Sequence, residues 1–470
     1  MTLFVANGQT SGTAIKTINV AAIPPYRSLV SAAAQQAGLG GTSWRTELSL
    51  FNAGAQGASV TALFIPAAGG TMVTRSLFLA PRQSAIYANT LLDLFGIANG
   101  AGAVAIEATS AGAGAQLRVT SRTFTNGSTG TYGQSVPDIR SGDLETTLYL
   151  TGIQSNTAYR TNIGLVNRGG ADVGANLTLY DASGNTVSTA NVVIPANNFQ
   201  QSSLVVFFPE TANRSYNALS LRVTTSSQDV VTAFVSVIDN TSQDPVYMQA
   251  MPARSGGSMT IPAVGRTNGA NGTFWQSDVI FFNPSSSRIT LSLRYGGTTK
   301  SLALSARETY VVSDVLTQFG FSSGNGPFFI NWTGGNAPVV TSRTYTTDDR
   351  GGTFGQSIDP VAAFTNEQFV PGLRSDVSYR SNVGVLNGGS DAEELTVTLL
   401  SPAGFELAST RIILKPGELM QQAVTSLFPG VSASTGSFTL YVRGDANARV
   451  FAYGSMIDNA SGDPVFFAGR

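Results

Sequence analysis

The chain has 470 residues, a net charge of -1 and only 12% charged side chains, about half the usual share of roughly 25%. It contains no Cys and no His, which excludes disulfides, thiolate chemistry, Ser-His-Asp triads and imidazole-ligated metals. A near-neutral balance creates no field that gathers nucleic acid or anionic lipid, and no apolar run approaches the roughly 18 residues of a membrane-spanning helix.

Length predicts roughly three or four domains. Lysine occurs only as Lys16, Lys300 and Lys415, and the polar surface is written in Ser, Thr, Asn and Gly. That composition suits secreted bacterial fibres and adhesins better than cytosolic enzymes. No basic segment precedes Lys16, so no signal peptide is visible; composition favours an exported protein whose leader lies outside this numbering.

Residues 1–26 match nothing else in the chain. Residues 2–6 and 14–23 read as strands around an Asn7-Gly8 turn, and Pro24-Pro25 ends the second run. Ile18 and Val20 alternate with Asn19 and Ala21, as in a half-buried strand.

Four repeats follow, each carrying one nine-residue signature. The copies run from Trp44 to Asn52, Tyr159 to Asn167, Trp275 to Asn283 and Tyr379 to Asn387. An aromatic opens each copy, Glu47, Asn162, Asp278 or Asn382 takes the fourth place, and Asn closes it. The spacings of 115, 116 and 104 residues are too long for a solenoid and suit separate sandwich domains. Period-two alternation sends Trp44, Thr46, Leu48 and Leu50 to one face, so the aromatics are expected in the core. Outward apolar positions Phe51, Val166, Phe282 and Leu386 are expected to cover a neighbouring loop or domain.

A second alternating strand and a Gly-containing turn come next in each repeat. The apolar segments 91–96 and 315–320 each suit one helical turn. The closing hairpins divide the repeats into two types. The first and third share Thr-Ser-Arg-Thr-aromatic strands (Arg122, Phe124; Arg343, Tyr345), and the second and fourth share Ile-Asp-Asn-x-Ser-x-Asp-Pro. The predicted boundaries are an extension at 1–26, then sandwiches A1 (27–142), B1 (143–257), A2 (258–365) and B2 (366–470). Short linkers predict a fixed A–B contact.

On these strands, alternations and turns, residues 27–470 resemble the tandem immunoglobulin-like β-sandwich repeats of bacterial secreted and surface proteins. The resemblance implies an all-β fold and a fibre-like or adhesive role.

Four features carry candidate chemistry. Asn240, Ser242 and Asp244, and likewise Asn459, Ser461 and Asp463, have the one-three-five oxygen spacing of calcium loops. Pro follows where such loops place Gly, so an Asx-stabilised hairpin turn is the plainer reading. Arg122 and Arg343 form either a cation–π platform for sugars or stems lying along the sheet over apolar area. Carboxylate pairs, the acid–base chemistry left to a His-free chain, recur at no fixed place, and no enzyme is expected. The N-terminal run, through Ile15, Ile18, Val20 and Ile23, is a candidate connector that adds a strand to another copy, folding back in cis being the alternative.

The sequence therefore predicts an extracellular, non-enzymatic array of four β-sandwiches. Its partners would be copies of itself in a filament or a surface ligand, with apolar cores bearing load in series. A carbohydrate- or surface-binding module is the alternative, and a carboxylate-dependent glycosidase the third reading. No cofactor is expected beyond the calcium of the two loops.

Overall fold

The computed structural model describes residues 26–68, 70–110, 114–127, 129–254, 257–432 and 434–470. The connector residues Ile15, Ile18, Val20 and Ile23 lie outside the described residues. The described chain is all-β, with antiparallel sheets packed face to face in four sandwich units.

Each unit begins with a strand that carries a bulge at the same place: after Val30, Leu150, Ile261 and Val370 the register slips before pairing resumes. The bulge turns the strand towards the opposite sheet. In A1 and A2 the strands Tyr26–Ala37 and Ser258–Asn268 then pair directly with the signature strands Ser43–Asn52 and Phe274–Phe282, which joins both sheets along one edge. Three-residue helical loops at Leu39–Gly41 and Ala270–Gly272 lengthen these hairpins. B1 and B2 lack that extension, and their two sheets stay separate.

The closing Asn of every signature has a common structural cause. Its amide donates to carbonyls of two loops and its Oδ1 accepts the backbone N–H two residues on. Asn52 bonds Gln56 O at 2.8 Å and Leu79 O at 3.1 Å while accepting Gly54 N–H at 3.0 Å. Asn167, Asn283 and Asn387 repeat the pattern through Ala171, Ser287 and Asp391. All four are buried. An Asn283→Ala substitution should leave these carbonyls unpaired and cost about 1–3 kcal/mol; the shift in urea midpoint measures it.

The apolar segment after the fifth strand is one helical turn in all four units, Thr90–Asp93, Leu204–Phe207, Val315–Gln318 and Val424–Leu427. Sequence reading expected it in the first and third. Buried Leu204 and Val424 anchor the other two as Leu91 and Leu316 anchor theirs.

The units do not follow one another in a line. A1 packs on B1 and also on B2, and A2 packs on both as well, so the four units close into a ring. Across A1–B1, Phe199, Phe234 and Tyr247 extend the core of A1. Across A2–B2, Phe451, Tyr453 and Phe466 do the same for A2. The closing strands Thr131–Ser135, Pro245–Gln249, Thr353–Ser357 and Pro464–Ala468 meet at the centre, where Tyr132 of A1 stands edge-on to Phe354 of A2 at 6.0 Å. The expected fixed A–B contact is present, but the expected loading in series is corrected: the first and fourth units are bound to each other.

The reason lies on the outer face of each signature. Phe51 packs at a tilt on Phe369 of B2, ring centres 5.2 Å apart, and Phe282 meets Tyr149 and Tyr180 of B1 at 6.0 Å each. Both signature strands are thus buried on two faces, one against their own sheet and one against a neighbour. Backbone bonds fasten the same contacts, Ser84 N–H to Pro402 O at 2.8 Å and Thr309 N–H to Ala182 O at 2.9 Å. Gly152 and Gly372 sit in the bulges with φ of +79° and +81°. A Cβ there would come within 3.1 Å of Ile280 and 2.8 Å of Thr120 in the adjoining A unit, so glycine permits both the turn and the close approach.

Candidate functional site

Two chemical features repeat around the ring. The first is a buried polar interface, formed once between A1 and B2 and once between A2 and B1. Arg122, 1% exposed, reaches across to Asp463 at 3.7 Å and the Tyr379 hydroxyl at 3.1 Å, and also donates to Thr131 Oγ1 of its own unit at 2.8 Å. Arg343 faces Asp244 at 3.5 Å and Thr353 Oγ1 at 3.0 Å. The A-type arginines were expected to lie along the sheet with solvated heads. That reading is corrected, because the next domain covers them and supplies the counter-charge. Their cation–π contacts are internal, Arg122 over Phe124 at 4.8 Å and Arg343 over Tyr345 at 5.1 Å.

The Asn-x-Ser-x-Asp loops supply the other half. The Asp before each motif, Asp239 or Asp458, caps its own turn and also accepts both the backbone N–H and hydroxyl of Thr353 or Thr131 across the interface, at 2.7–3.0 Å. Ser242 and Ser461 donate to Thr353 O and Thr131 O. Asn240 and Asn459 accept from Arg160 and Arg380. Asp244 and Asp463 accept the Gly355 and Gly133 N–H groups. Among the described residues no cluster of three acidic side chains could hold a metal. Asn240, Asn459, Asp244 and Asp463 each accept a hydrogen bond from a protein donor in this interdomain lock.

Electrostatics separates the two kinds of Asp. Desolvation opposes ionisation of Asp239 and Asp458, but their N–H and O–H donors outweigh it and hold both carboxyls below the usual value. Desolvation dominates at Asp244 and pushes its pKa up to about 8 against the pull of Arg343. Asp463 is likewise raised by desolvation, and the nearby Asp244 adds to it.

The second feature is a pair of clefts, one between A1 and B1 and one between A2 and B2. The A2–B2 cleft has a volume of about 630 Å³ and is lined by Trp275, Gln356, Arg380, Asn382, Gln421 and Ser455. The A1–B1 cleft, about 220 Å³, presents Trp44, Gln134, Arg160, Asn162, Gln201 and Ser236 at the corresponding places. Ser236 bonds Gln134 and Ser455 bonds Gln356, each at 2.9 Å. The signature aromatics were expected in the cores. Tyr379 does join the core of B2 and Tyr159 borders that of B1. Trp44 and Trp275 are half-buried cleft walls, because the longer A-type hairpin carries them past the end of the sandwich.

Sequence reading missed the clefts because their residues come from five separated strands. The recurring Asn at the fourth place of the B-type signatures, with the A-type Trp, was the available signal.

No family model matches the chain, and no curated protein matches it. Among solved structures, Thermotoga maritima 1070 is similar at 13% identity and TM-score 0.20, covering 23% of this chain and 96% of its own. A tetra-tandem repeat in the extending region of a large adhesion protein is 12% identical with TM-score 0.12, covering 94% and 98%. The pilus backbone RrgB of Streptococcus pneumoniae is 8% identical with TM-score 0.11, covering 75% and 86%. At these TM-scores none of the three bears on function.

Proposed function

We propose that the protein is a non-catalytic, extracellular structural and adhesive module whose two A–B clefts bind a neutral, hydroxyl-rich surface polymer. The observation that carries this reading is the twin cleft: one aromatic wall and the same set of amide, hydroxyl and guanidinium groups appear twice around the ring. Amides and a Trp face suit sugars, which offer paired hydroxyls on one edge and C–H groups on the ring face. The volume of the larger cleft falls in the range of small-molecule sites. The most deeply buried hub carboxylates, Asp244 and Asp463, are closed in by partner domains, which weighs against a glycosidase.

A glycan panel tests the reading. Saturable binding should appear, and Trp275→Ala should weaken it by about tenfold, equivalent to roughly 1.4 kcal/mol, with the melting temperature unchanged. Binding that survives both Trp44→Ala and Trp275→Ala would remove the clefts from consideration, and an unresponsive panel would remove the adhesive reading. The filament reading has its own test: deleting residues 1–25 should leave folded monomers and abolish any polymer seen by electron microscopy.

A further inference from the structure

The two halves of the ring differ at one place. At the A1–B2 junction, Tyr26, Arg118, Asp138, Arg140 and Arg470 form a packed ion cluster. Asp138 accepts the Tyr26 hydroxyl at 3.0 Å and pairs with Arg470 at 3.1 Å and Arg140 at 3.7 Å. Strand register identifies the corresponding positions at the A2–B1 junction. Val339 lies opposite Phe282 as Arg118 lies opposite Phe51. Val361 bridges Thr260 as Ile139 pairs Leu29, which matches Pro360 to Asp138 and Ala362 to Arg140. Met251 pairs Tyr149 where Arg470 bonds Phe369, and Gly257 takes the place of Tyr26.

Every large polar side chain of the cluster is thus replaced by a small or apolar one. What remains is a cavity of about 350 Å³, walled by Met251, Met259, Trp332, Pro338 and Val339. One acid faces it. Asp359 lies on the cavity wall and stays accessible there, and its carboxylate accepts no hydrogen bond and makes no ion pair among the described residues. The residue is exposed on the cavity side; desolvation disfavours its charge, and the guanidinium of Arg470 favours it. Arg254 stands at the exposed rim, where water screens its charge.

We infer that this junction cavity is a binding site for a small organic cation, an amine carrying an apolar or aromatic body. The ammonium pairs with Asp359, and the body fills the space that the opposite junction gives to arginine and tyrosine side chains. Trp332 offers the indole surface that attracts such cations, and the methionines adapt to the body. The site is independent of the clefts, since none of its wall residues lines them.

The test is calorimetric titration of the full chain with phenethylamine, using 2-phenylethanol and phenylacetate as probes of like shape and different charge. The amine should bind one per chain and at least about tenfold tighter than the alcohol, a difference of roughly 1.4 kcal/mol, with phenylacetate weakest. Asp359→Asn should erase the preference for the amine and leave binding of the alcohol unchanged, which also reports that the variant is folded. Equal affinity for amine and alcohol, tighter binding of phenylacetate, or no binding of the amine to the unaltered protein each overturns the inference, as does an amine preference that persists in the folded Asp359→Asn variant.

Discussion

Replacing Arg122 by Ala is expected to lower stability by about 3–5 kcal/mol, the cost of removing one partner from a buried ion pair. Arg122 is 1% exposed and Asp463 is fully buried, so the deletion leaves a carboxylate without its counter-charge inside the A1–B2 interface. It also strips partners from the Tyr379 hydroxyl and Thr131. Arg343→Ala should cost less, because Arg343 is 17% exposed and water reaches part of its site. The effect should be read in two ways. The urea midpoint should fall, and small-angle scattering below that midpoint should show a larger radius, since A1 and B2 are joined in sequence only through the intervening units. A double Arg122→Met, Asp463→Leu variant should recover most of the loss, because a well-packed apolar pair stands in for a buried ionic one. An unchanged midpoint in Arg122→Ala would show that the pair does not hold the ring.

That expectation marks where sequence reading reached its limit. Alternation along the signatures identified sandwich strands, because one buried face of a pleated strand writes a period of two. The closing Asn was visible as a recurring letter, although its role as a loop clamp needs the third dimension. Ring closure was hidden for a physical reason. A strand buried on both faces still carries Thr, Ser and Arg where the second neighbour is a polar interface. The Ser-Arg-Thr run of A1 therefore reads like a solvated sheet face, on which Arg usually keeps its head in water. One clue was present. The A-type hairpins carry Arg and the B-type turns carry two Asp each, and such opposite charges in alternate repeats are what a repeated A–B lock requires. Pairing of the first unit with the fourth is a long-range contact, which local pattern does not encode. The clefts and the junction cavity lie between units adjacent in sequence, but each is assembled from strands far apart in the chain, so they were equally out of reach.

The same lock should make stability fall as pH rises from about 4 to 8. An unfolded Asp titrates near 3.9, whereas desolvation pushes folded Asp244 up to about 8 and raises Asp463 as well. Between those values the folded state binds more protons than the unfolded state, and stability declines with pH wherever that holds. The geometry agrees with the direction: Oδ1 of Asp244 and of Asp463 is buried without a partner among the described residues, a poor setting for a full negative charge. Asp239 and Asp458 act with the opposite sign. Their folded carboxyls are lowered by the donors that outweigh desolvation, so their contribution is present above the unfolded value and lost as pH falls through the folded one. The two effects together place maximum stability in mildly acidic solution. Unfolding entropy grows with chain length, so in a chain of 470 residues one kcal/mol moves the melting temperature by only about 1 °C, and a drop of roughly 2–4 °C between pH 5 and pH 8 is expected in a thermal scan. Asp244→Asn, neutral at every pH, should flatten that slope while keeping a polar group beside Gly355 N–H. Arg122→Ala should steepen it, because Asp463 then loses the cation that favours its charged form. A melting temperature that rises from pH 5 to pH 8, or a slope indifferent to Asp244→Asn, would mean that the charges of the lock are fully compensated and that the ring is held by its aromatic contacts instead.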